Sequence, residues 1–323
     1  MEYIRLGTTG LKVSRLALGC MSYGDPTVPG AHPWALTEDK TEPFFRQAVE
    51  LGINFWDTAN VYQAGTSEEI VGRAIRTFSR REDIVLATKV RGKMHNGPGG
   101  EGLSRKAILE QVDASLTRLG TDYIDLYQIH RFDDETPVEE TMEALHDVVK
   151  AGKVRYIGAS SMYAWQFAKL QHAADLGGWT RFVSMQNQYN LLRRQDEPEL
   201  MAMCGDMGLG LIPYSPNGKG RLARPAGEQT TRSTTDHVVQ SFDNPHDEPV
   251  INTVQQVAES RGVTMAQVAL AWVLRNPLVA APIVGATKPH HLQQAVDALT
   301  LQLTEDEATA LEKPYVNAGP SWF

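Results

Sequence analysis

Cysteine is nearly absent. Cys20 and Cys204 are the only two in 323 residues, too few for a disulfide framework, and neither has a metal-ligating neighbour at the short spacing of zinc sites. Both read as small buried hydrophobes. No apolar run approaches the ~18 residues needed to span a bilayer, and the start, Met1-Glu2-Tyr3-Ile4-Arg5-Leu6, has no signal-type apolar region. A cytoplasmic location is expected. Positive charge is in deficit, with 31 Lys and Arg against 39 Asp and Glu and a net charge of −8. That argues against nucleic acid or an anionic membrane as a partner and leaves any phosphate binding to local basic residues. The nine histidines are scattered, and even His290-His291 lacks a cluster of partners, so no metal site is expected. The one G-x-G-x-x-G, Gly97–Gly102, comes seven residues after the third apolar run rather than directly after an early strand, which weakens a doubly wound dinucleotide-binding fold.

What the chain has instead is eight short apolar runs, near 16–19, 54–59, 85–90, 124–130, 155–160, 182–188, 209–215 and 281–286, most followed by a helical pattern. They are near-continuously apolar rather than alternating, as parallel strands buried on both faces should be. The recurrence predicts an α/β chain folded as one closed (β/α)8 TIM barrel over residues 1–323. The helices carry punctuation. Ser104 caps a helix bearing Ile108, Val112, Leu116 and Leu119 before Gly120. Thr136-Pro137-Val138-Glu139 reads as a capping box with proline at the first helical position. Residues 3–16 read as a hairpin. A polar stretch over 223–249, rich in Thr, Asp, Gly and Pro, breaks the regular spacing as a solvated excursion or a lid.

A barrel places chemistry at the carboxyl ends of its strands, and Asp57, Lys89, His130, Ser160, Gln186 and Tyr214 all fall on that rim, with Tyr62 just beyond Asp57. Charge at the end of a buried strand needs a reason. Acid catalysis by a phenol supplies one. A buried ammonium at Lys89 favours the phenolate and should draw Tyr62 below its ordinary value towards the working pH. Asp57 would be the counter-ion that Lys89 needs out of water, and His130 would orient the substrate oxygen. Each residue alone has a structural explanation: a helix cap, a core tyrosine, a snorkelling lysine, a satisfied core histidine. Four together at successive strand ends are harder to explain that way.

These residues resemble a known family. Phe55-Trp56-Asp57-Thr58-Ala59-Asn60-Val61-Tyr62, Ala87-Thr88-Lys89 and Gln128-Ile129-His130 are similar to the Asp, Tyr, Lys and His motifs of the aldo-keto reductases. The likeness continues through Tyr156-Ile157-Gly158-Ala159-Ser160-Ser161, Met185-Gln186-Asn187-Gln188-Tyr189-Asn190, Ile212-Pro213-Tyr214-Ser215-Pro216 and Ile283-Val284-Gly285-Ala286-Thr287. It looks most like the bacterial branch related to the potassium-channel β subunits. The resemblance implies an NADPH-dependent oxidoreductase reducing an aldehyde or ketone with Tyr62 as proton donor, and a hairpin covering the barrel bottom. The alternative is an NADP-binding regulatory or sensor protein with little turnover; a third reading is a metal-dependent barrel hydrolase, which would show a metal at the rim.

For the cofactor, NADPH or NADP, the resemblance points to Tyr214 as the stacking aromatic and to Ser160, Ser161 and Gln186 as carboxamide partners. Gly19, Cys20, Met21 and Asp57 are further cofactor-binding candidates. Ser215-Pro216-Asn217-Gly218-Lys219-Gly220-Arg221 has two glycines that permit close backbone approach to phosphate. Gly285, Thr287 and Lys288 precede a helix whose start favours an anion. Arg232 resembles the arginine that the channel-β branch sends to the 2′-phosphate. The chain departs from that branch at His291, Gln294 and Ala295, where the branch has glutamine, glutamate and asparagine. Thr287, Lys288, His291 and Arg232, with no carboxylate between Gly285 and Gln294, favour NADP over NAD. The expected partner is a small carbonyl substrate, with no nucleic acid or membrane; homo-oligomerisation stays open. Arg91 and Arg131 stand close enough to Lys89 and His130 to suggest an anionic group on that substrate.

Overall fold

The structure, a computed structural model, describes residues 1–228, 244–317 and 319. The chain opens with an antiparallel hairpin, β1 (Tyr3–Arg5) and β2 (Lys12–Ser14). Eight parallel strands follow: β3 (Ala17–Gly19), β4 (Phe55–Asp57), β5 (Val85–Val90), β6 (Ile124–Ile129), β7 (Val154–Ser160), β8 (Phe182–Gln186), β9 (Gly210–Leu211) and β10 (Ile283–Gly285). Consecutive strands pair from β3 to β9, and β10 pairs back onto β3. Bridges from Leu211 to Val279 and from Tyr214 to Ile283 join the last two staves. This is the (β/α)8 barrel. Around it run α1 (Glu38–Glu50), α2 (Thr66–Phe78), α3 (Arg105–Leu119), α4 (Val138–Lys150), α5 (Ala164–Gly177), α6 (Ala202–Asp206), α7 (Glu248–Arg261), α8 (Met265–Arg275), α9 (His291–Ala298) and α10 (Glu305–Glu312).

Side chains alternate across a strand with period two, so the barrel interior is legible strand by strand. Phe55, Val85, Ala87 and Leu126 form an apolar plug with Leu6 and Val13 of the hairpin, which covers the barrel bottom. Two residues further along, the same inward face carries Asp57, Lys89 and Gln128, all buried. The strands thus change from apolar to polar at, or one step before, their carboxyl ends. Their outward faces, Leu18, Trp56 and Leu86 among them, pack under the helices in the main core. That two-sided burial is why the strands read as continuous apolar runs.

Ser104 Oγ accepts from the Ala107 N–H at 3.2 Å, and Gly120 ends α3 in the left-handed conformation with φ 63°. The capping box read at Thr136 does not form. Pro137 itself is the N-cap and offers no side-chain acceptor, while the Thr136 hydroxyl donates to Asp133 Oδ2 at 2.8 Å. The polar stretch 223–249 is also shorter than it reads. Asp247 is buried, and α7 already begins at Glu248. Arg232 lies outside the described residues. Among the described residues no helix is long and apolar enough to cross a membrane.

Candidate active site

Lys89 is the centre of the polar layer, fully buried on β5. An ammonium has three donors and no acceptor, and all three have acceptors here. Lys89 Nζ donates to Asp57 Oδ1 at 2.5 Å, to the Thr58 carbonyl at 2.8 Å and to the Tyr62 hydroxyl at 3.2 Å. The second carboxylate oxygen of Asp57 accepts from Gln128 Nε2 at 3.0 Å and Gln186 Nε2 at 2.9 Å. A buried ion pair is tolerated only when its remaining hydrogen-bonding capacity is satisfied, and the two glutamines do that. Gln128 went unassigned in the sequence. Its signal was there, since alternation from Leu126 turns it inward.

Tyr62 comes from the turn after β4, where Gln63 and Ala64 take positive φ values of 48° and 53°. Gln63 is buried, donates to the Met21 carbonyl at 2.6 Å and accepts from the His32 N–H at 2.7 Å, tying this turn to the loop after β3. The Tyr62 phenol differs from the expectation that it would be drawn down. Burial raises it above its ordinary value of 10.0, and Lys89 and Arg131, which pull the other way, only partly offset that. It is therefore neutral at physiological pH. Because Lys89 can only donate, the phenol oxygen accepts from it, and the hydroxyl proton is left to point elsewhere. Lys89 is likewise pulled down by burial, but Asp57 and Tyr62 more than compensate and raise it, so it stays an ammonium.

His130 stands edge-on to Tyr62, with ring centroids 5.7 Å apart and planes at 80°. Burial and the cations Lys89, Arg131 and Arg91 push it well below its ordinary 6.5. A neutral imidazole can donate one N–H without carrying charge. Arg131 Nη1 donates to the His130 carbonyl at 2.7 Å, and its side chain also reaches Tyr214.

The other predicted residues fall on the same rim but are not all free to serve. Ser160 Oγ donates to the Gln186 carbonyl at 2.8 Å, and Ser161 Oγ to the Tyr214 hydroxyl at 3.2 Å. Gly19 closes on β10, where a Cβ would meet Ile283 Cγ2 at 2.7 Å. Cys20 and Cys204 are buried free thiols. After Tyr214 the backbone holds Gly218, Lys219 and Gly220 at φ 54°, 55° and 90°. Asn190 Nδ2 braces this turn at the Ser215 carbonyl, 2.9 Å away, and Asn217 Oδ1 is buried without a hydrogen-bond partner. A pocket is lined here by Gln188, Asn190, Leu192, Arg193, Gly218, Lys219 and Arg221. Arg193 and Arg221 share Asp247, which sequence reading missed. The Gly218 and Gly220 N–H groups turn back onto the Ser215 and Asn217 carbonyls at 2.9 and 2.8 Å, while the unpaired buried amide oxygen of Asn217 awaits a donor. These residues fit a dinucleotide.

Gly285, the last residue of β10, and Thr287 and Lys288 just beyond it are exposed, and Gln294 is half-buried on α9. His291 does not supply the positive charge expected of it. The Thr287 N–H donates to its Nδ1 at 3.3 Å; burial, His290 and Lys288 lower it to about 4. Among the described residues no group of three or more His, Cys, Asp or Glu could hold a metal ion.

The aldo/keto reductase family model matches residues 15–315. A versiconal hemiacetal acetate reductase of Aspergillus parasiticus is 45% identical over 339 residues, covering 98% of this chain and 97% of that protein. The aldo-keto reductase AFTS1 of Alternaria alternata is 42% identical, covering 97% of this chain and 91% of its own length. The putative aryl-alcohol dehydrogenase AAD16 of Saccharomyces cerevisiae is 42% identical, covering 98% and 97%. By its barrel, its Asp57–Lys89–Tyr62 chain, the family model it matches and its near full-length relatives, this chain belongs to the aldo/keto reductase family and is an oxidoreductase.

Proposed function

We propose that this protein reduces an aldehyde or ketone with NADPH, with Tyr62 as the proton donor. The observation that carries the reading is the one-way hydrogen bond from Lys89 to the Tyr62 oxygen, which leaves the phenol proton available to a substrate. The nicotinamide cofactor supplies the hydride when bound. Tyr62 gives its proton to the carbonyl oxygen as negative charge develops there, and the adjacent Lys89 ammonium stabilises the phenolate left behind. Asp57, Gln128 and Gln186 hold Lys89 in place. His130, neutral, donates to the same carbonyl oxygen and orients it.

Tyr214, Ser160, Ser161, Gln186 and the lining formed by Gly19, Cys20, Met21 and Asp57 are proposed for the nicotinamide end. Residues Ser215, Pro216, Asn217, Gly218, Lys219 and Arg221 would take the pyrophosphate. Gly285, Thr287, Lys288, His291 and Gln294 would meet the adenosine, and Arg232 the 2′-phosphate, as the likeness to the channel-β branch suggests. Relatives named for a hemiacetal acetate and for aryl alcohols support a small carbonyl or hydroxyl compound as substrate.

NADPH consumption with a panel of aldehydes and ketones tests the reading. Tight cofactor binding without turnover would favour a regulatory NADP-binding protein instead. Charge-assisted contacts are worth roughly 1.5–3 kcal/mol, so Arg232→Ala should weaken NADP about tenfold to a hundredfold and leave NAD nearly unchanged. Equal affinity of the wild type for both cofactors refutes the preference, and an unaltered NADP affinity in the variant refutes the role of Arg232.

A further inference from the structure

We propose that Arg91 and Arg131 form an anion subsite beside His130, so that the carbonyl substrate carries a carboxylate or a phosphate. The inference rests on the reductase reading above and deepens it.

The two arginines leave adjacent staves. Lys89 and Val90 of β5 pair with Gln128 and Ile129 of β6, and the His130 N–H donates to the Val90 carbonyl at 2.8 Å. Arg91 and Arg131 therefore follow side by side at the rim, and both cations act on His130. Both are half-buried, where a cation loses hydration and needs a counter-charge. Other rim guanidinium groups have one: Arg193 and Arg221 share Asp247. Among the described residues no carboxylate lies within ion-pairing distance of Arg91 or Arg131. The acid nearest in effect is Asp133, which Arg91 helps to hold below its ordinary value. Its oxygens are already engaged by the N–H groups of Leu103 and Glu135 and by the Thr136 hydroxyl.

Arg91 Nε is buried with no hydrogen-bond partner, and the Arg131 guanidinium, which has five donors, gives to the His130 carbonyl and the Tyr214 hydroxyl. The backbone adds a second sign. Arg91 sits at φ 116°, a region that favours glycine, and the next residue, Gly92, is pressed against Val61, where a Cβ would lie 2.2 Å from Cγ1. Strain of this kind persists where surrounding structure and function demand it. Here it sets Arg91 where its charge acts on His130, at a position where a glycine would fold more easily. His130 is neutral and cannot meet the charge. An anionic substituent on the substrate can, by bidentate contact with a guanidinium fork.

The test uses two matched pairs at saturating NADPH: succinic semialdehyde against its methyl ester, and glyceraldehyde 3-phosphate against glyceraldehyde. In the wild type the charged member of one pair should exceed its neutral partner by about tenfold to a hundredfold in kcat/KM, and the pair that does so distinguishes carboxylate from phosphate. The ratio should fall towards one in Arg131→Gln and in Arg91→Gly. The latter should melt no lower than wild type, because glycine adopts φ 116° without strain. Neutral aldehydes turned over as well as charged ones, or a ratio untouched in both variants, overturns the subsite while leaving the reductase reading intact. If none of the four is reduced, it is the reductase reading that fails. The subsite is then decided by calorimetry with succinate and phosphate on the NADP-loaded protein: weaker binding in both variants supports it, and equal binding overturns it.

Discussion

Tyr62 shows how one hydrogen bond sets a residue's role. With burial holding the phenol protonated and Lys89 fixing which way its proton points, the acid is ready across the neutral range. The rate of reduction should stay flat through neutral pH and fall only above about pH 10, near the tyrosine reference value; an alkaline limb near pH 7 would contradict the raised value. General acids contribute about a hundredfold to ten-thousandfold. Tyr62→Phe should lose that much in kcat while NADP affinity stays within a few-fold, since the hydroxyl acts in the transition state. Lys89→Met tests the pair differently. Removing one member of a buried ion pair costs about 3–5 kcal/mol, here towards the lower end because Gln128 and Gln186 still donate to Asp57. Adding Asp57→Asn should restore most of the stability in a denaturant melt and none of the turnover. Restored turnover would remove Lys89 from the chemistry.

At the scale of elements, the turn carrying Tyr62 is placed by the start of α2. Ser67 Oγ donates to the Cys20 carbonyl at 2.9 Å and pairs with Thr58 Oγ1 at 2.9 Å. Glu68, buried, accepts from Thr88 Oγ1 at 2.5 Å and from Arg118 Nε at 2.6 Å. Those contacts bind α2 to β3, the end of β4, β5 and α3 at once. Gly72 lets α2 approach α3 closely, since a Cβ there would lie 2.0 Å from the Leu119 carbonyl oxygen. Gly72→Ala should therefore cost about 1–3 kcal/mol by overpacking. Because α2 must shift, kcat should fall as well, with KM less affected. A variant that melts and turns over like wild type would mean that α2 does not position Tyr62.

For the whole molecule, acid should be the weak side. His130 and His291 both titrate below the ordinary 6.5 in the folded chain. Below pH 6.5 the unfolded chain binds protons that the folded chain refuses, so stability is present above 6.5 and lost as pH falls through and below it. Lys89 has the opposite sign. Its raised value contributes stability that is complete below 10.5 and lost as pH rises through the folded value. Urea melts at pH 8 and pH 5 should show lower stability at pH 5, with the gap narrowed in the double variant His130→Gln, His291→Gln. An undiminished gap would place the acid sensitivity elsewhere.

Much of this was legible in the residues. Eight apolar runs with polar termini, separated by helical patterns and glycine stops, have few folded solutions besides a barrel. Period two then dictates that Asp57, Lys89 and Gln128 share the interior. What a chain cannot display is the distance between parts far apart along it. Gln186 reaches Asp57 across 129 positions, and Asp247 meets Arg193 across 54. The same holds for the degree of burial. Lys89 beside Tyr62 suggests a lowered phenol until the depth of the site outweighs the charge. His291 reads as a cation until its burial makes it neutral, and Thr136 reads as a cap until Asp133 takes its hydroxyl. Local periodicity, set by covalent geometry, determined the fold and the residues that could act; desolvation and competition among non-local partners, which exist only once the barrel closes, decided their protonation and their bonds.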